Sequence, residues 1–183
     1  MQTSRTPLTT TSPVTLAAVK AHARVDASDE DAAIDLMARA AAAEIEAQSG
    51  IALLAQIVTV TLDAWGDVID MPVGPLYAAG LTANPVTVQA RDEAGNLSAV
   101  TAFWMEAGRY PRLHLTSEVE AVALVVSYPA GHGTTEESVP VDMRMAIADQ
   151  AVALIDLRGD TTARQGLTNL AARVVHANRR VRA

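Results

Sequence analysis

The chain has 183 residues and a net charge of −7; half of its residues are hydrophobic but only 3% are aromatic. That length sets the expectation of one domain with a real core, which must be built from Val, Leu, Ile and Ala. The absence of cysteine excludes disulfides, thiolate metal sites and cysteine nucleophiles.

Charge is unevenly distributed. Before Arg158 there are 8 basic and 20 acidic residues, and from Arg158 onward 6 basic residues stand against Asp160 alone. An acidic body of net −12 thus carries a basic tail of net +5, which points to two different partners or to self-association through opposite charge. No apolar run approaches the roughly 20 residues that span a bilayer, and the Thr/Ser-rich start lacks a hydrophobic signal segment. The expectation is a soluble chain that is not exported and has no membrane partner.

Residues 1–12 are polar and low in complexity, and read as a flexible N-terminal arm. Pro13 opens the folded part. Residues 14–23 place Leu16, Ala17, Val19 and Ala23 near one helical face, with Ser12 or Thr15 available to cap the first amides. In 26–31, Ser28 and Asp31 form an acidic variant of the capping box, and a helix over 29–48 follows, stopped by Gly50. Its apolar stripe is Ile34, Met37, Ala38, Ala41 and Ile45.

From Gln56 the period changes to two: Val58, Val60 and Leu62 alternate with Ile57, Thr59 and Thr61. Short strands are expected at 68–71, 103–105, 112–115 and 119–128, with a hairpin formed by 86–90 and 97–101 around Gly95 and Asn96. Five or six strands over 56–128 make a small, mostly antiparallel β region. A third helix over 141–157 presents the stripe Met145, Ala148, Val152 and Ile155. The fold class expected is α+β, a helical subdomain of two N-terminal helices and a C-terminal core helix with an inserted β region, spanning 13–157. The remainder, 158–183, is a basic segment in which Leu167, Leu170, Ala171 and Val174 keep helical spacing, so it reads as a helix only once docked.

No motif with chemistry emerges. The carboxylates Asp26, Asp29, Glu30 and Asp31 lack the Gly and distal Glu of a calcium loop, and a helix N-terminus accounts for them. His22, His114, His132 and His176 have no partner at zinc spacing. Gly131-His132-Gly133 reads as a turn leaving a strand, with close approach to a ligand as the alternative. There is no G-x-S-x-G elbow, and a chain with one lysine is poorly suited to phosphate chemistry. No catalytic, metal or cofactor site is therefore expected, and the chain is not read as an enzyme.

In their order and spacing, several strings resemble the head-tail connector (adaptor) family of long-tailed phages and related gene transfer agents. They are Val14-Thr-Leu-Ala-Ala-Val-Lys-Ala-His-Ala-Arg-Val-Asp26, the Ala-rich helix ending at Ser49-Gly50 and Ala55-Gln-Ile-Val-Thr-Val-Thr-Leu62. Met71-Pro-Val-Gly-Pro75, Val125-Val-Ser-Tyr-Pro-Ala-Gly-His-Gly133 and Val139-Pro140 complete the set. Where this family often carries aromatics, the chain has Ile45-Glu-Ala-Gln48 and Leu154-Ile-Asp-Leu157. The resemblance implies a virion neck protein, assembled in the bacterial host cytoplasm as a homo-oligomeric ring of about twelve copies beneath the portal. It further implies contact with a portal protein and a tail-side stopper, and passage of double-stranded DNA through the ring.

The resemblance maps portal docking onto the C-terminal segment. Its candidate residues are Arg158, Arg164, Leu167, Leu170, Arg173, Val174, Arg179, Arg180 and Arg182. Two other readings stay open: a different neck or tail component (stopper or tail terminator), and a small regulatory or ligand-binding protein using the 131–133 loop.

Overall fold

The computed structural model describes residues 1–157 and 166–179. The fold is α+β, and the chain divides into two compact units. One comprises Met1–Thr10 with Leu54–Thr134, the other Thr11–Leu53 with Thr135–Ala183.

In the first unit, eight described strands form two antiparallel sheets. They are β1 (Gln2–Pro7), β2 (Gln56–Leu62), β3 (Val68–Asp70), β4 (Thr87–Arg91), β5 (Leu97–Val100), β6 (Phe103–Glu106), β7 (Arg112–Leu115) and β8 (Ala123–Ala130). The larger sheet has the order β1-β2-β8-β4-β5 and the smaller β3-β7-β6. Alternation in β2 places Val58, Val60 and Leu62 inside. Across the sheet Val60 pairs with Val126, which pairs with Val88, so one face becomes a continuous apolar layer. Each such buried valine or leucine contributes about 1.5–3 kcal/mol.

The Tyr128 hydroxyl, fully buried, donates to the Val73 carbonyl at 2.9 Å and accepts from the Val73 N–H at 3.3 Å. It thereby ties the 71–75 loop to the sheet. Gly131 has φ +128°, and a Cβ there would run into the Leu54 carbonyl. The Gly131 N–H donates to Pro75 and the Gly133 carbonyl accepts from Ala55. Close backbone packing at the end of β8 accounts for Gly131.

The N-terminal arm expected over 1–12 is a correction. Residues Gln2–Pro7 are strand β1, in register with Thr61–Gln56 of β2. All six of its side chains are exposed or only half-buried, so its order comes from main-chain hydrogen bonds to a sheet edge, which a polar sequence supplies as well as an apolar one.

The second unit packs α1 (Leu16–Ala23), α2 (Asp31–Ser49), α3 (Val141–Asp156) and α4 (Asn169–Asn178). Thr15 caps α1, its hydroxyl accepting from the Ala18 N–H at 3.2 Å. Gly50, at φ 71°, ends α2. The capping box read at Ser28 is not formed: Glu30 occupies the cap position and its side chain does not cap the helix amides, and the Ser28 backbone carbonyl accepts from Asp31. The acidic first turn is used differently, Asp31 taking the Lys20 ammonium of α1 at 2.6 Å.

In α2 the predicted stripe faces inward through Ile34, Ala38, Ala41 and Ile45. In α3 the period was legible but its phase was not. The buried residues are Met143, Ala146, Ile147, Ala148, Gln150 and Ala151, whereas Met145 is 52% and Val141 61% exposed. Met143 and Ile147 are buried together with the alanines, so the neighbouring helices and not side-chain size decide which face of α3 turns inward. No described helix is long and apolar enough to cross a membrane.

Candidate functional site

The C-terminal segment carries the sequence-derived site. Of its candidates, Arg158, Arg164, Arg180 and Arg182 lie outside the described residues. The other five are on or next to α4, which starts from a Thr168 cap whose hydroxyl accepts from the Ala171 N–H at 3.2 Å.

This helix is already docked within its own unit, against α2 and α3. Ala171, Val174 and Val175 are buried, and Leu167 and Leu170 are half-buried. Val174 is therefore a correction: its side chain fills an internal seam and is not offered to a partner. Apolar residues at helical spacing call for burial without specifying the surface that provides it.

A polar latch fixes the start of α4. Gln150, 1% exposed, accepts the Thr168 N–H at 2.7 Å and donates to the Glu44 carboxylate at 3.0 Å. Because Thr168 N–H can only donate, the amide oxygen must face it and the NH2 must face Glu44. One buried amide thus joins three helices. At the far end, Asn178 donates to the Val174 carbonyl at 2.8 Å.

The outward side of α4 presents Arg173 and His176, and Arg179 follows at its C-cap; all three are exposed. Among the described residues neither arginine makes an ion pair.

Ion pairs also stand elsewhere among the described residues. His22 meets Asp149 at 3.4 Å, and Arg144 meets Glu136 at 3.5 Å. On the small sheet His114 lies 3.1 Å from Glu106 and stacks on Trp104 with ring centroids 3.8 Å apart. Asp92 in the β4–β5 turn has its carboxyl held below the usual range, chiefly by the Asn96 side chain and backbone. Glu137 is lowered by its own backbone N–H and by Thr135. Among the described residues no three His, Asp or Glu side chains are grouped to hold a metal ion.

One cleft in the first unit escaped sequence reading. It has a volume of about 390 Å³ and opens between the 63–67 loop and the turn after β7. Asp63, Asp67 and Glu118 line it beside Trp65 and no basic side chain does, while the N-terminal ammonium of Met1 lies 3.4 Å from the Asp63 carboxylate. The two stretches that build it are some fifty positions apart in sequence, and each alone reads as an ordinary polar loop.

No family model and no curated protein matches the chain. Several solved structures do match it over its whole length. One, the neck of an empty GTA particle computed with C6 symmetry, has a chain 24% identical at TM-score 0.79, covering 100% of this chain and 97% of that one. The virion of a native gene transfer agent (GTA) particle and the neck of a native GTA particle computed with C12 symmetry give 23% identity each, with TM-scores of 0.80 and 0.76 and the same coverage. The chain shares its fold with components of gene transfer agent particles. That likeness takes in both units, and so includes β1 and α4, the two elements that sequence reading had treated as appendages.

Proposed function

We propose that this protein is a non-enzymatic structural subunit of the neck of a phage-like particle, and within the neck the head-tail connector (adaptor). The observation that carries the reading is full-length similarity of fold, at TM-scores of 0.76–0.80, to chains from GTA particle structures, two of them necks. The cyclic symmetry of those necks supports a ring, twelvefold in one case.

The physical character of the chain suits that role. A net charge of −7 lets a ring pass double-stranded DNA without gripping its phosphates, because like charges repel within a Debye length of roughly 8–10 Å. Weak contacts repeated around a ring gain by avidity on the order of 100-fold. Portal docking is assigned to the flanks of α4, at Arg158, Arg164, Arg180 and Arg182, since the helix's own apolar side is occupied.

Mass measurement of the purified protein with and without a portal ring tests the reading. Stable capture by the portal is the expected result. Capture only by tail-side proteins would make the chain a stopper or tail terminator, and a persistent small oligomer that joins no particle component would overturn the neck reading altogether.

A further inference from the structure

Arg173 and His176, three residues apart on α4, project from its exposed side, and Arg179 extends the same basic surface at the C-cap. No acidic residue occurs in 166–179 to neutralise them. Burial of Ala171, Val174 and Val175 fixes the helix in its own unit, so this face is rigidly presented.

Resting on the ring reading above, we propose that the basic face of α4 docks on the acidic body of a second copy of this chain. The surface that fits it best is the cleft of Asp63, Asp67 and Glu118. A guanidinium matches a carboxylate fork in shape and charge, and it stacks on an indole such as the Trp65 wall. Basic face and acidic cleft belong to different parts of one chain, so each copy can offer one and receive the other, and the head-to-tail form of that pairing is the one that closes into rings.

It also answers an electrostatic problem: acidic bodies brought side by side repel, and an opposite-charge contact offsets that repulsion and sets the register. Duplex DNA is the less favoured occupant. Two arginines and a histidine neutralise few phosphates, which gives only weak, salt-sensitive affinity, and DNA leaves the cleft unused.

The test is a charge swap in the full-length chain. One variant carries Arg173→Glu and Arg179→Glu, the other Asp63→Arg and Glu118→Arg. Self-association is followed by native mass spectrometry and sedimentation, free and on isolated portal rings, with circular dichroism and melting curves to establish that each variant folds. Each variant alone should associate about tenfold more weakly than wild type or worse. An equimolar mixture should recover, because acidic helix faces then meet basic clefts and unaltered basic faces meet unaltered acidic clefts. Recovery also separates a specific contact from damage to either variant.

Wild-type rings undisturbed by either variant, or a mixture that fails to recover, overturn this contact and leave the ring reading standing. A wild type that never self-associates, free or on the portal, overturns both. Loss of duplex binding or of portal capture with self-association intact assigns the face to that partner instead and overturns the proposal.

Discussion

Replacing Gln150 by Met keeps the volume of the side chain and removes both of its hydrogen bonds. The bond accepted from Thr168 N–H, 2.7 Å long and neutral, contributes about 1 kcal/mol, and the bond to the Glu44 carboxylate, 3.0 Å long, about 1.5–3 kcal/mol because its acceptor is charged. Glu44 is only half-buried and also receives the Gln48 amide at 3.3 Å, so the lower part of that range applies. The net loss is about 3 kcal/mol, a fall in melting temperature of roughly 6–12 °C for a chain of this size. Calorimetry measures the loss, and hydrogen exchange locates it, with amides of α4 exchanging faster while those of β2 and β8 keep their protection. Gln150→Glu sharpens the test: it sets a carboxylate against Glu44, so its defect should be larger near neutrality and shrink on acidification. A loss below about 1 kcal/mol with α4 exchange unchanged would refute the latch.

Further outcomes follow from other parts of the fold. Gly131→Ala should cost about 3 kcal/mol or prevent folding, since φ +128° and the Leu54 carbonyl both oppose a Cβ. Gly95→Ala, at φ +86° with open space around it, should cost only about 1–2 kcal/mol; equal losses in urea titrations would contradict the packing argument. Deleting 158–183 should destabilise the helical unit by on the order of 3 kcal/mol or more, because the burial of Val174 and Val175 goes with it, and unchanged urea unfolding would count against that docking. Asp92, whose folded carboxyl titrates low, contributes order to the β4–β5 turn above the ordinary aspartate range. That order should be lost as pH falls through the depressed folded value, and Asn96→Ala should raise the Asp92 midpoint in an NMR titration.

Much of the fold was legible wherever a local rule acts. The alternation of 57–62 became β2, and Gly50 and Thr15 ended and began helices as their chemistry requires. Where the rule was only local, reading failed in identifiable ways. Ser28 offers a cap that the chain does not use, because Asp31 is drawn to Lys20 of another helix. Helix α3 has the right period but turns Ala146 and Ile147 inward in place of Met145, a choice made by its neighbours.

The candidate site divides along the same line. Sequence by itself determined the excess of arginine after Leu157, the acidity of everything before it, and the absence of cysteine, because composition does not depend on folding. Only the tertiary structure decided that Val174 is spent inside the molecule while Arg173 and Arg179 face out, and that Asp63 and Glu118 share a cleft. The physical reason is that charge belongs to a residue, but exposure and proximity belong to pairs of residues. Pairs distant in the chain meet only when backbone hydrogen bonds and apolar burial bring whole elements together.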